Sequence, residues 1–279
     1  MTLAFDALRS AWRNPRGRTG ALVLLIVAVA AVIGPWLLPD PLAQPDILRA
    51  GRPPGLGHPF GTDQLSRDVL SRVATGARIS LGVAFLAVAL SVTLGAAVGV
   101  VSGYWGGAVD ATLMRIVDGA LAIPRLFILL LVLAVWERVP VLALIVLIGG
   151  TGWFATSRVV RGEVLRIREE GYVRAAEALG ARRRRIIFRH MIPNALGPLL
   201  VAATLGVGDV ILLEAGLSFL GLGIQPPTPS WGGMILDSRD VMVSAPWAGI
   251  FPGLAIVVTV LSSNLFGEAL RDAVDPRSA

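Results

Sequence analysis

The chain has 279 residues, of which 54% are hydrophobic and 16% charged, with a formal net charge of +6. A soluble domain carries about a quarter charged residues, so this composition points to a polytopic membrane protein. Cysteine is absent and all 25 basic residues are arginine, which excludes disulfides, thiolate chemistry, lysine Schiff bases and the lysine of a phosphate-binding P-loop, so the chain is not expected to hydrolyse ATP itself.

Four arginines, Arg9, Arg13, Arg16 and Arg18, precede an uncharged run over 19–39. That run is too long for the apolar core of a cleavable signal peptide and reads as a retained signal-anchor, the first span. Prolines and glycines forbid regular structure over 39–60. Thr62 or Asp63 is then placed to cap a short interfacial helix, with Leu65, Val69 and Val73 at helical spacing, feeding a second span over 79–103. On that span Gly95, Gly99 and Gly103 form a ridge of small residues, a surface for close helix packing.

The third span is expected over 111–136 and carries Asp118 and Arg125. Pro124 frees backbone groups that protein or water must satisfy, which suits a broken helix beside a cavity. The alternative for Arg125 is a side chain snorkelling from a helix end. A fourth span follows over 139–157. Between 158 and 190 lie ten arginines and four glutamates, a local net charge equal to that of the whole chain. The positive-inside rule places this loop in the cytoplasm. Six spans then put both termini there too, and leave the near-neutral 40–78 segment outside.

The fifth span, over 194–220, contains Asp209 and Glu214. A carboxylate at bilayer depth costs about 2.5–3.5 kcal/mol on insertion scales and faces a bundle interior or a wet cavity. Arg125, Asp209 and Glu214 are therefore the candidate translocation-pathway groups, with a buried hydrogen-bonded role as the alternative for Glu214. The stretch 217–234 reads as a span end turning into a proline-rich outer loop, and a sixth span occupies 246–266. His58 and His190 each stand alone, with no second ligand at metal spacing, so no metal site is expected.

Six arginines fall within 171–193. On charge alone a nucleic-acid patch, a membrane-surface anchor and a docking surface are all open. Tyr172, Ala175, Ala176 and Leu179 repeat at helical spacing and make one flat apolar stripe, interrupted at Gly180, after which Arg182–Arg185 begin a second helix. Nucleic-acid sites need aromatic or base-reading groups beside the charge, and only Tyr172 and Phe188 are near, so nucleic acid is not expected as a partner. Attraction to anionic membrane lipid is compatible with docking.

This loop resembles the cytoplasmic motif of bacterial ABC-importer permeases, which reads E-A-A, three residues, Gly, nine residues, then I-x-L-P. Here Arg174, Ala175 and Ala176 are followed by Gly180, then His190, Ile192 and Pro193 at the same spacing. Arginine replaces the glutamate, as in the dipeptide/oligopeptide/nickel branch, histidine the first isoleucine, and isoleucine the leucine. The stretches 58–81, 214–232 and 265–277 also look like the second permease subunit of that branch. The resemblance implies an all-α type I importer fold: an N-terminal region over 1–76 with one span, a transmembrane domain over 77–268 containing a coupling loop at 158–193, and a cytoplasmic tail over 269–279. It implies a multi-pass protein of the bacterial inner membrane. Its implied partners are a second homologous permease, two cytoplasmic ATPases that bind ATP and Mg, and an extracytoplasmic substrate-binding protein. Tyr172, Arg174, Ala175, Ala176, Glu177, Leu179 and Gly180 would then seat in an ATPase cleft. Di- and oligopeptides are the implied substrates, with nickel or glutathione-like solutes as alternatives. A self-sufficient secondary transporter would need a relay of intramembrane ionisable groups, for which Arg125, Asp209 and Glu214 are sparse material.

Overall fold

The computed structural model describes residues 2–44, 48 and 50–274, and among these the regular structure is helical, apart from two isolated bridges, Gly55 with His58 and Thr62 with Asp68. The tail expected over 269–279 is helical to Val274, and its remainder lies outside the described residues. Helices α1 (Thr2–Arg13) and α2 (Pro15–Leu37) meet at Asn14, whose side chain accepts the Arg16 N–H at 3.0 Å. Pro15 presets φ at the first helical position. The first span, α2, lies at the periphery and buries mainly small residues: Gly17 against Ala11 and Ala269, and Gly20 against Ser262.

The second span is longer than the sequence suggested. Helix α3 runs unbroken from Val69 to Trp105, so the expected interfacial helix and the span are one 37-residue helix. Its cap is Asp68, which accepts the Ser71 N–H at 2.8 Å, and not Thr62 or Asp63. Gly61 and Ser66 take left-handed conformations (φ 75° and 59°), which turn the chain before the helix can begin. Asp63 sits inside that turn and is already engaged. One of its oxygens accepts the N–H groups of Leu65 and Arg67 at 2.9 Å each, and the other meets Arg67 Nε at 2.6 Å and Arg72 Nη1 at 2.5 Å.

A short helix, α10 (Trp231–Ser238), occupies part of what the sequence presents as outer loop. Ser230 caps it by accepting the Gly233 N–H at 3.1 Å, and Trp231 and Met234 bury their side chains. Asp237, near its end, accepts Arg72 Nη2 at 2.9 Å and its carbonyl accepts Gln64 Nε2 at 2.8 Å, while Trp247 Nε1 reaches the Thr62 carbonyl at 2.9 Å. The 51–68 segment is thereby fastened to α10 and to α11 (Trp247–Val274).

The expected third span is two helices. After a turn at Gly106 and Gly107, α4 (Gly107–Leu121) and α5 (Arg125–Leu133) are bent by 76°. Pro124 explains the break, because it has no N–H to donate and disfavours a helical Ile123. Helix α6 (Val141–Arg168) continues well past the expected end at 157. After α7 (Gly171–Ala178) and α8 (Arg183–Ile186), the chain makes one wide π turn over Ile187–Met191 and enters α9 (Ile192–Phe219). Pro193 lies just beyond that turn and cannot make the i→i−4 bond of a regular helix. Among the described residues five helical runs are long and apolar enough to cross a membrane, six if the bent pair is one broken span.

The most extensive helix packing is between α3 and α6. A Cβ on Gly99 would stand 2.6 Å from the Ser157 carbonyl oxygen and 2.7 Å from Val160 Cβ, and Gly95 and Gly103 meet Thr156 and Val164 as closely. The ridge anticipated in the sequence is thus an interhelical contact. Helices α9 and α11 pack around this pair, and Leu81, Val88, Leu144, Ile148, Ile211 and Leu217 fill the space between. Gly99→Leu is expected to cost about 3 kcal/mol through overpacking and to lower the thermal midpoint of the detergent-solubilised protein. Gly82→Leu, on the same helix with open space around it, should have little effect. Equal tolerance at both positions would remove the ridge as the source of stability.

Candidate functional site

At the arginine-rich end, α7 is a short helix with a buried keel. Val173 points inward and is fully buried with Ile186 and Met191, in a cluster that also contains Val100 and Tyr104 of α3, Val160 and Val164 of α6, and Leu199 of α9. The opposite face is open: Tyr172 is 47% exposed and Leu179 88%, with Ala175 exposed and Ala176 half-buried between them. The helix ends in a Schellman turn. Gly180 N–H donates to the Glu177 carbonyl at 2.9 Å and Ala181 N–H to the Ala176 carbonyl at 3.0 Å, with Gly180 at φ 78°. A side chain at 180 is disfavoured by that left-handed backbone.

Between α7 and α8 lies a cleft of about 450 Å³ lined by Ala176, Leu179, Gly180, Arg182, Arg185 and His190. Arg174 pairs with Glu169, and Arg166 bridges Glu163 and Glu170 at 2.7 and 2.8 Å, so part of the local charge is internally balanced. Arg182–Arg185 stay exposed, and Arg184 lies over the Phe188 ring at 5.8 Å. Tyr172 packs beside His190, ring centroids 5.7 Å apart, and burial holds its phenol above the ordinary value. Glu177 is exposed on the rim.

The three intramembrane ionisable residues do not converge. Arg125 and Asp209 line one cavity of about 270 Å³ bounded by α3, α5, α6 and α9, with Ser91, Gly152 and Thr156. Glu214 lies elsewhere, fully buried. Ser218 Oγ donates to its Oε1 at 2.7 Å and Ser80 Oγ to its Oε2 at 3.2 Å, with Ser230 alongside. Each hydroxyl also receives a main-chain N–H: Ile224 on Ser218 (3.1 Å), Trp231 on Ser80 (3.2 Å) and Gly233 on Ser230 (3.1 Å). A serine that accepts from the backbone keeps its own proton to give, so the hydrogen-bonding needs of the Glu214 carboxyl group are met within the chain. This is the hydrogen-bonded alternative for Glu214; the sequence shows Ser218 at helical spacing on α9, but not Ser80 and Ser230, which come from other elements.

Two further polar contacts escape a sequence reading. The Asp63–Arg67–Arg72–Asp237 network is one; its local half has helical spacing, but Asp237 is remote in the chain. Asp110 is the other. It accepts from the Ser102 hydroxyl and is held by Arg161 Nε and Nη2 at 2.5 Å each, fixing the start of α4 to α6. No cluster of metal-ligating side chains exists among the described residues.

Apolar helical runs of spanning length, an internal cavity between them and an exposed helix at the arginine-rich end are features in keeping with a membrane protein of the transport type. Residues 95–279 match the family model described as binding-protein-dependent transport system inner membrane component. The chain is 36% identical to an oligopeptide transport system permease protein of Bacillus subtilis, across 99% of this chain and 90% of that one. It is 39% identical to a dipeptide transport system permease protein of the same organism, across 98% and 85%. A dipeptide transport system permease protein of Alkalihalophilus pseudofirmus is 38% identical, across 98% and 89%. The chain belongs to this family: it is a multi-pass inner-membrane permease subunit of an ABC importer, with the type I importer membrane fold.

Removing the Glu214 carboxylate leaves three buried hydroxyls without their acceptor. Glu214→Ala is expected to destabilise by about 1–3 kcal/mol, read as a lower thermal midpoint in detergent. An unchanged midpoint would show that the hydroxyl belt does not hold α3, α9 and α10 together.

Proposed function

We propose that this permease imports di- and oligopeptides, paired with a second homologous permease, fed by an extracytoplasmic substrate-binding protein and driven by two cytoplasmic ATPases that carry the ATP and Mg. The peptide assignment is supported by the names of its relatives. The coupling assignment is carried by one observation: α7 presents a flat, exposed stripe outward while Val173 anchors it inward.

In this reading Tyr172, Ala175, Ala176 and Leu179 seat in an ATPase cleft, with Arg174 and Glu177 on the rim, and the Gly180 turn lets the chain leave the helix without obstructing the seat. The arginine-rich end and both termini face the cytoplasm, where the exposed arginines also meet anionic lipid headgroups. When the ATPases close, α7 moves. The cluster around Val173 joins it to the ends of α3, α6 and α9, which also bound the internal cavity. The motion therefore reaches the cavity walls through packed side chains, and the ATPase biases an existing equilibrium by differential contact. Arg125 and Asp209 belong to the pathway, and Glu214 braces the opposite end of the bundle.

Ala176→Glu places a charge in the seat, and Gly180→Val strains the left-handed turn by about 1–2 kcal/mol. Each is expected to abolish co-purification of the ATPases from solubilised membranes while membrane insertion stays at the wild-type level. Unchanged co-purification and unchanged peptide uptake would overturn the docking assignment.

A further inference from the structure

Arg125 and Asp209 bring opposite charges to one cavity from different helices. Arg125 is held from behind: its Nε donates to Thr151 Oγ1 at 3.1 Å and its Nη2 to the Ile148 carbonyl, both on α6. Thr151 is itself fixed to the Leu147 carbonyl at 2.8 Å. These acceptors are neutral, so they orient the guanidinium without cancelling its charge, and its remaining N–H donors stay available. Gly152 provides the room, since a Cβ there would stand 3.0 Å from Nη2.

Asp209, on α9, is exposed, and among the described residues no hydrogen bond or ion pair engages its carboxylate. The two charges share the cavity without closing on each other. The rest of the lining is mostly small or aliphatic, including Val88, Ala155 and Ala202, with the hydroxyls of Ser91 and Thr156. Nothing in it reads a particular side chain.

Such a cavity discriminates by charge arrangement. An anion is attracted by Arg125 and repelled by Asp209, a cation the reverse, and a neutral solute gains from neither. A ligand carrying both charges at its two ends gains twice. The ammonium and carboxylate termini of a short peptide have that form whatever its sequence. We propose that Arg125 and Asp209 form a zwitterion-selective subsite of the pathway, Arg125 receiving the carboxylate and Asp209 the ammonium of a short peptide. This subsite rests on the peptide reading above.

The test uses the complete importer in proteoliposomes, with partner permease, ATPases and binding protein. Uptake per ATP hydrolysed is measured for dialanine, N-acetyl-dialanine and dialanine amide, each at saturating binding protein. Arg125→Gln and Asp209→Asn are each expected to lower dialanine uptake per ATP by roughly tenfold, the factor carried by one charge-assisted hydrogen bond. Asp209→Asn should shift preference toward the N-acetylated anion, and Arg125→Gln toward the amide cation. A uniform fall for all three solutes, or no change for any, overturns the subsite while leaving peptide transport intact. A wild-type importer that moves none of the three overturns the peptide reading itself, and the subsite with it.

Discussion

The close approach of α3 and α6 is the contact on which the rest of the molecule depends. With Gly95, Gly99 and Gly103 on one helix, the backbone of the other comes near enough for Ser157 and Val160 to sit where side chains would otherwise stand. Lipid tails are as apolar as leucine, so burying greasy surface does little to bring two spans together, and dense contact has to do it. Helix α6 answers in kind, with Gly149 against Leu90 and Gly152 against Ser91. The same pair of helices walls the cavity at one level and supplies Val100, Tyr104, Val160 and Val164 to the cluster beneath α7 at another.

Ionisable groups among the helices are handled in three physically different ways. Asp63 bridges two buried arginines directly, and Asp237 adds a second carboxylate, so the two acids together balance the two bases. Breaking such a pair by removing one partner is costly, because the survivor is left charged and desolvated. Glu214 carries its carboxyl group among hydroxyls already oriented by main-chain N–H groups, with no cation beside it among the described residues. Arg125 and Asp209 follow neither pattern: one is oriented by neutral acceptors, and the other has no hydrogen-bonded partner among the described residues. The first two arrangements are complete within the chain. The third is incomplete, and it is the one that faces a cavity.

The parts of the fold legible in the sequence are those set by local chemistry. Uncharged runs of spanning length mark the helices, the glycine ridge marks the α3–α6 contact, and Pro124 marks the break between α4 and α5. The start of α3 was misplaced because Asp63 and Thr62 carry the same capping chemistry as Asp68. Only the left-handed turn at Ser66, which composition does not betray, decides among them. Helix α10 was hidden because eight residues are too few to show a period beside a run of prolines and glycines. Of the candidate site, residue types and the Gly180 interruption were visible, as was the helical stripe. What could not be read was depth: that Val173 is the inward residue of α7, that Arg125 and Asp209 share a cavity, and that Ser80 and Ser230, from other elements, join Ser218 around Glu214.

Helix α6 has a mechanical property that follows from its length. From Gly152 at the cavity wall to Arg168 at the base of α7 it is continuous, a span of roughly 24 Å at 1.5 Å per residue. A rod of that length converts angle into distance. A tilt of about 5° pivoting at the cavity end carries the far end through roughly 2 Å, more than half the width of a van der Waals contact. Because α3 packs against α6 along this stretch through Gly95, Gly99 and Gly103, a tilt of one helix would carry the other with it.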